Sequence, residues 1–206
     1  MPQIYYCDTA KFDPLYENML EVLPKERKQK AEGFLHRKDQ LLSATAGLMV
    51  IKIFGKNAFK KILYNEHGKP FFEHGNKFSI SHSGRFSVLA VSEDEIGTDI
   101  EARENVNPAL AKRCFTEEEQ DFAKLSTQNF LRIWTAKEAV LKLLGTGFSY
   151  SPSNFSVLPL DEEHYIEEKN IRFFCDEING FPLTAAFCEK DDNFEIREFL
   201  PEDLLS

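Results

Sequence analysis

The sequence predicts a mixed α/β protein, and three observations carry that expectation. The chain has 206 residues, enough for one large domain or two small ones with a real core. Its 42% hydrophobic and 29% charged residues are those of a globular chain. Helix-period and strand-period segments mix in both halves, with no internal repeat and no low-complexity tract.

The elements follow in chain order. A short strand is expected from Ile4 to Cys7. From Pro24 a single long helical pattern runs on, with apolar or small residues at Ala31, Phe34, Leu35, Leu41, Leu42, Thr45, Leu48, Met49 and Ile53, and Gly55 as its stop. Lys25, Arg27, Lys28, Lys30, His36, Arg37 and Lys38 crowd its first half. Strands are expected at Lys61 to Tyr64, Lys77 to Ser81, Phe86 to Ser92 and Ile96 to Glu101, separated by the turn signals "NEHGKP", "EHGN" and "HSGR". The polar, proline-containing "ARENVNPAL" is the expected linker, dividing residues 1–102 from 103–206. Beyond it, Thr116 and Glu119 form a capping-box pattern. "TQNFLRIWTAKEAVLKLLGTG" reads as a second long helix closed by Gly145. Strands return at Phe155 to Leu158, Ile171 to Cys175, Leu183 to Cys188 and Phe194 to Phe199.

Composition narrows the function. A net charge of −9 argues against nucleic acid, whose binders carry a basic excess. No apolar run approaches the roughly 18 residues of a membrane span, and the N-terminus lacks the basic flank and apolar core of a signal peptide. The expectation is a cytoplasmic protein. Cys7, Cys114, Cys175 and Cys188 form no C-x-x-C pair, so they read as reduced thiols and not as metal ligands.

Two segments suggest chemistry. In "EIGTDIE", Ile96, Thr98 and Ile100 share one strand face while Gly97, Asp99 and Glu101 share the other. Two carboxylates roughly 6.5–7 Å apart at the backbone can converge on one hard cation such as Mg²⁺, although an acidic pair alone is more often a solvated face. In "WTAKEAVLK", Glu138 and Lys142 share a helix face; alone, they make an ordinary surface ion pair worth a few tenths of a kcal/mol. "ISHSGRF" supplies hydroxyls, a histidine and open amides suited to a phosphate, or simply a hairpin turn. The nucleophile elbow of a serine hydrolase is missing.

Together, "LPKERKQKAEGFLHRKDQLLSATAG", "GKPFF", "FSISHSGRFSVLAVS", "IGTDIE", "CFTEEE" and "WTAKEAVLKLLGTGF", in that order over roughly residues 20–158, resemble the longer, surfactin-synthetase-activating type of 4′-phosphopantetheinyl transferase. The resemblance implies two similar α/β halves forming a pseudo-two-fold monomer with the active site between them. It implies Mg²⁺-dependent transfer of the phosphopantetheine arm of coenzyme A to a serine of an apo acyl or peptidyl carrier protein, releasing 3′,5′-ADP. It makes Asp99, Glu101 and Glu138 the Mg²⁺ carboxylates, and Lys142, with Lys137 as a second candidate, a pyrophosphate contact. Lys69 and Pro70 match the turn lying against coenzyme A. Ser81 and His82 match residues near its 3′-phosphate. Lys30 and Ser43 match helix positions reaching the same end, with Arg27 beside them. Glu119 and Glu138 are the candidates for a base. Leu42 stands where the family often has arginine, so a positive contact to the 3′-phosphate is either missing or supplied by Lys38 or Arg37. The competing expectation is a coenzyme A or nucleotide-binding module without catalysis, which would keep Lys69, Ser81 and His82 but would not require three carboxylates.

Overall fold

Two four-stranded sheets pack against each other, and each is covered on its outer face by helices. The computed structural model describes residues 1–103, 105–188 and 194–206. The first part of the chain forms strand β1 (Gln3–Asp8), helices α1 (Tyr16–Val22), α2 (Lys25–Glu32) and α3 (Arg37–Phe54), and strands β2 (Ile62–Tyr64), β3 (Pro70–Phe72), β4 (Lys77–Ser83), β5 (Phe86–Ser92) and β6 (Ile96–Ile100). Helices α4 (Pro108–Cys114), α5 (Glu117–Ala123) and α6 (Thr127–Leu144) follow. Strands β7 (His164–Ile166), β8 (Lys169–Ile178), β9 (Phe181–Phe187) and β10 (Glu195–Glu198) and helix α7 (Pro201–Leu204) complete the fold. The expected mixed α/β class is the one observed.

One sheet has the order β10-β1-β5-β4 and the other β6-β9-β8-β7, with β2 and β3 forming a separate two-stranded ribbon. The pairing crosses residue 102 in both directions. β6 joins β9, while β10 returns to pair in parallel with β1.

Alternation along the strands sets the layers. Leu89 and Val91 of β5 face α3, whereas Phe86, Val88 and Ala90 face the second sheet and meet Ile96, Ile100, Leu183, Ala185 and Phe187. Ala186 and Ile171 face outward against α6. β5 is therefore buried at all seven positions, because both of its faces are covered.

Three expectations need correction. The single helix from Pro24 is two helices, broken between Gly33 and His36. The Gly33 amide closes α2 on Gln29 O, extended His36 opens α3, and the side-chain amide of Gln40 donates to Phe34 O. Phe34 and Leu35, counted on the apolar face, are exposed as a result. Residues 155–158 form no strand, because their backbone groups are satisfied by side chains. Phe155 O accepts from Lys137 and the Val157 amide donates to Glu119. The linker "ARENVNPAL" is irregular only up to α4, which Asn107 caps; its Glu104 lies outside the described residues. The capping box of Thr116 and Glu119 and the Gly145 stop of α6 are formed as expected.

Candidate active site

Close approach of one helix to one strand builds the site. At Gly97 of β6 an added Cβ would lie 2.0 Å from Ala139 O and 2.4 Å from Leu143 N, so only glycine lets α6 lie this near. Asp99 and Glu101, on the same strand face as Gly97, are thereby brought to α6. The ammonium of Lys142 donates to Asp99 Oδ1 at 2.6 Å and to Ser81 Oγ at 2.9 Å. The Ser81 hydroxyl donates to Asp99 Oδ1 at 2.6 Å. Glu101 Oε1 accepts from Ser83 Oγ at 2.6 Å, and its Oε2 pairs with Arg103 Nε at 3.0 Å. Asp99 and Glu101 are both buried.

Glu138 belongs to the same electrostatic group. Burial first, and then the charge of Asp99, push its carboxyl up to about 7; Glu101 adds to the rise, while Lys142 and Arg103 oppose it. Among the described residues no three carboxylate, histidine or cysteine side chains are gathered closely enough to hold a metal. The physical reason is that Asp99 and Glu101 are turned to their serine and basic partners. The donor set nevertheless fits a hard cation. All three groups are carboxylates, and the mutual repulsion that raises Glu138 is relieved by positive charge, which Lys142 and Arg103 bring here.

Two cavities flank this cluster. One, of about 340 Å³, is lined by Arg27, Lys30, Ser43, Tyr64, Pro70 and His82 among others. The second, of about 250 Å³, is lined by Lys69, Pro70, Glu138, Lys142, Gly147 and Phe148 among others. Gly68, Pro70, Phe78 and Ile80 line both, so the ribbon β2–β3 and strand β4 form a common wall. That wall is fastened to the C-terminus of α6. Asn65 Nδ2 donates to Gly145 O at 2.7 Å and Lys69 Nζ to Leu143 O at 2.8 Å, with Lys69 also paired to Glu95 at 3.0 Å. A lysine and an amide thus satisfy helix carbonyls that have no partner within the helix.

The sequence model of the 4′-phosphopantetheinyl transferase superfamily matches residues 95–188, from the end of the β5–β6 turn through β9. The chain is 33% identical over 143 residues to a 4′-phosphopantetheinyl transferase of Aneurinibacillus migulanus, a match spanning 63% of this chain and 59% of that protein. It is 29% identical over 160 residues to a 4′-phosphopantetheinyl transferase of Bacillus subtilis, covering 72% of this chain and 71% of the relative. To the Bacillus subtilis transferase Sfp it is 28% identical over 164 residues, 74% and 73% of the two chains. Over these spans the chain is similar to the 4′-phosphopantetheinyl transferases.

The expected site residues divide into three groups. Lys30, Ser43, Pro70 and His82 line the larger cavity, and Lys69, Pro70, Glu138 and Lys142 the smaller. The second group, Asp99, Glu101 and Ser81, is buried and lines neither cavity; Ser81 ties Asp99 to Lys142, which lines the smaller one. Lys137 and Glu119 form the third group, and they correct the expectation. Both are fully buried, paired at 2.8 Å, and line neither cavity. Lys137 Nζ donates to Pro152 O at 2.7 Å and Phe155 O at 2.6 Å, and Glu119 accepts from the Thr116 and Val157 amides. All three donors of Lys137 and three acceptor sites of the buried Glu119 carboxylate are spent on the fold.

The sequence reading undervalued Arg27. Arg37 is committed to Asp13 at 2.8 Å and lies over the Tyr16 ring, away from the cavity. Arg27 instead brings its guanidinium to Ser43, donating to the carbonyl at 2.8 Å and the hydroxyl at 3.3 Å, while its buried Nε has no partner. The signal that could have found it is the missing arginine at Leu42. The His82 imidazole is held below the ordinary histidine range by the protein around it and by the Lys142 ammonium.

Proposed function

We propose that this protein transfers the 4′-phosphopantetheine arm of coenzyme A to a serine hydroxyl of an apo acyl or peptidyl carrier protein, with Mg²⁺, releasing 3′,5′-ADP. The observation that carries the reading is Lys142, which pairs with Asp99 at 2.6 Å and lines, together with Glu138, the smaller of two cavities that share the Pro70 wall. The relatives named above are 4′-phosphopantetheinyl transferases. In this reading the nucleotide end of coenzyme A occupies the larger cavity, its 3′-phosphate met by Lys30, Ser43, His82 and Arg27. Arg27 lines that cavity with its guanidinium held on Ser43, which supports this. Pro70 shapes the wall between the cavities, and Lys69 holds that wall on α6.

Asp99, Glu101 and Glu138 are the oxygen donors that would hold Mg²⁺, which when bound neutralises charge developing on the pyrophosphate oxygens. Lys142 lies one turn from Glu138 and lends its ammonium to the same phosphates. The new bond joins the carrier serine oxygen to the phosphorus bearing the pantetheine arm. The bond from that phosphorus to the bridging oxygen breaks, and 3′,5′-ADP departs. Of the two carboxylates expected as base, Glu138 lines the cleft and Glu119 does not, which supports Glu138 as the group that takes the serine proton, directly or through a water.

Residues 1–102 then contribute the coenzyme A contacts and the strand carboxylates, and residues 103–206 the α6 helix. The enzyme acts as a cytoplasmic monomer, with neither nucleic acid nor membrane as partner. The net charge of −9 supports the first exclusion; for the second, no described helix is long and apolar enough to cross a membrane. The test is incubation with coenzyme A, Mg²⁺ and a panel of apo carrier proteins. Intact-mass gain on a carrier together with 3′,5′-ADP is the expected result. Coenzyme A binding without ADP release from any carrier would favour the non-catalytic binding module.

A further inference from the structure

Three serines of β4 join the two sheets without a backbone ladder. Ser79, Ser81 and Ser83 stand two residues apart and meet alternate amides along β6 and just beyond it. Thr98 N donates to Ser79 Oγ at 3.0 Å, Ile100 N to Ser81 Oγ at 3.4 Å and Ala102 N to Ser83 Oγ at 3.0 Å. A hydroxyl that accepts from a backbone amide still has one proton to give. Ser81 gives its proton to Asp99 and Ser83 gives its proton to Glu101, each at 2.6 Å. Ser79 stands opposite Gly97, where the strand has no carboxylate to receive one. Asp99 in β6 and Glu101 just beyond it are thus each aimed by a hydroxyl that is itself held by the backbone next to that carboxylate. Hydroxyl-to-carboxylate bonds of this length are charge-assisted and strong.

We infer that Ser83 is a positioning residue for Glu101, holding its carboxylate in the orientation from which it reaches a metal ion. The inference rests on the proposed Mg²⁺ reading and adds to it a residue outside the ligand set. Without the Ser83 hydroxyl, the side-chain partner left to Glu101 among the described residues is the solvent-exposed Arg103, and the carboxylate swings toward it. Hydrogen-bond partners behind metal ligands typically account for about 10- to 100-fold in metal affinity.

The experiment is Mn²⁺ titration of the coenzyme A-loaded protein, with free Mn²⁺ read by electron paramagnetic resonance. Ser83→Ala is expected to weaken Mn²⁺ binding by about 10- to 100-fold. Ser79→Ala removes a backbone contact of the same length and no carboxylate contact, so it should bind Mn²⁺ like the wild type. Ser83→Thr keeps the hydroxyl on a strand position and should restore affinity, which covers the case in which Ser83→Ala does not fold. Equal weakening by Ser79→Ala and Ser83→Ala, or none by Ser83→Ala, overturns the inference. A wild-type protein that holds no Mn²⁺ overturns the Mg²⁺ reading first, and this inference with it; the wild-type titration tells the two failures apart.

Discussion

Lys137 and Lys142 lie five residues apart on α6 and meet opposite environments. The first is sealed among three oxygen acceptors, and the second opens on the cleft with its side chain 30% exposed. Lys137→Met leaves Glu119 buried without a counter-charge and is expected to cost about 3–5 kcal/mol of stability. Combining it with Glu119→Gln should return part of that loss, and chemical denaturation of the single and double variants measures the coupling. Lys142→Met should cost less stability and instead lower carrier modification by about 10²-fold or more, the usual scale for losing a donor to transition-state charge. A Lys142→Met enzyme with wild-type turnover would return this lysine to the surface ion pairs. His82 adds a pH dependence. Surrounding protein and Lys142 depress its folded pKa, against the opposing pull of Asp39 and Asp99. Below the unfolded value of about 6.5 the unfolded chain binds the extra proton first, so stability falls as pH drops from there through the folded pKa. His82→Gln should flatten that part of the melting-temperature profile.

At the scale of elements, the contact of β6 with α6 decides the site, and Gly97 decides the contact. Gly97→Ala would set a methyl carbon against Ala139 O and Leu143 N, which are backbone atoms that cannot rotate away. The strand and helix must then separate. The cost should lie at or above the upper end of the roughly 1–3 kcal/mol seen for overpacked cores, and Asp99 should move away from Lys142. A melting temperature within a degree or so of wild type would show that this contact is looser than described. The same element shows what sequence reading can achieve. The Gly97, Asp99, Glu101 face, the Glu138 to Lys142 spacing and the Gly145 stop are all local patterns, and all are observed. Phe155 to Leu158 looked equally strand-like, yet it has no ladder partner, because Lys137 and Glu119 satisfy its backbone from across the core.

Across the whole molecule, the C-terminal segment completes the first sheet. β10 pairs with β1, Phe199 stacks on Tyr5 at 4.8 Å, and α7 buries Leu204 against the same core. Cys7 lies beneath this cover, fully buried, with its thiol pushed well above the ordinary range by burial. In the native chain, alkylation should reach Cys175 and Cys188, which are partly exposed, well before Cys7 and Cys114. Removing residues 195–206 should open Cys7 to iodoacetamide and lower the melting temperature. Peptide mapping after brief labelling separates the four thiols, and early labelling of Cys7 in the intact chain would contradict the described closure.

By itself the sequence determined the mixed α/β class, the main strands, the capping box, the end of α6 and the cast of side chains around the cleft. These are short-range properties, set by period, turn chemistry and spacing between neighbours in the chain. Only the tertiary structure decided which members of that cast face the cleft. Lys137 and Lys142 carry the same charge on the same helix, but one is directed at Glu119 and the other at Asp99. It also decided that β6 leaves its neighbours for β9, that β10 returns to β1, and that Arg27 takes the place beside Ser43. A periodic string specifies which residues share a face. What that face meets depends on segments tens of residues away, through burial and pairing that no local pattern encodes.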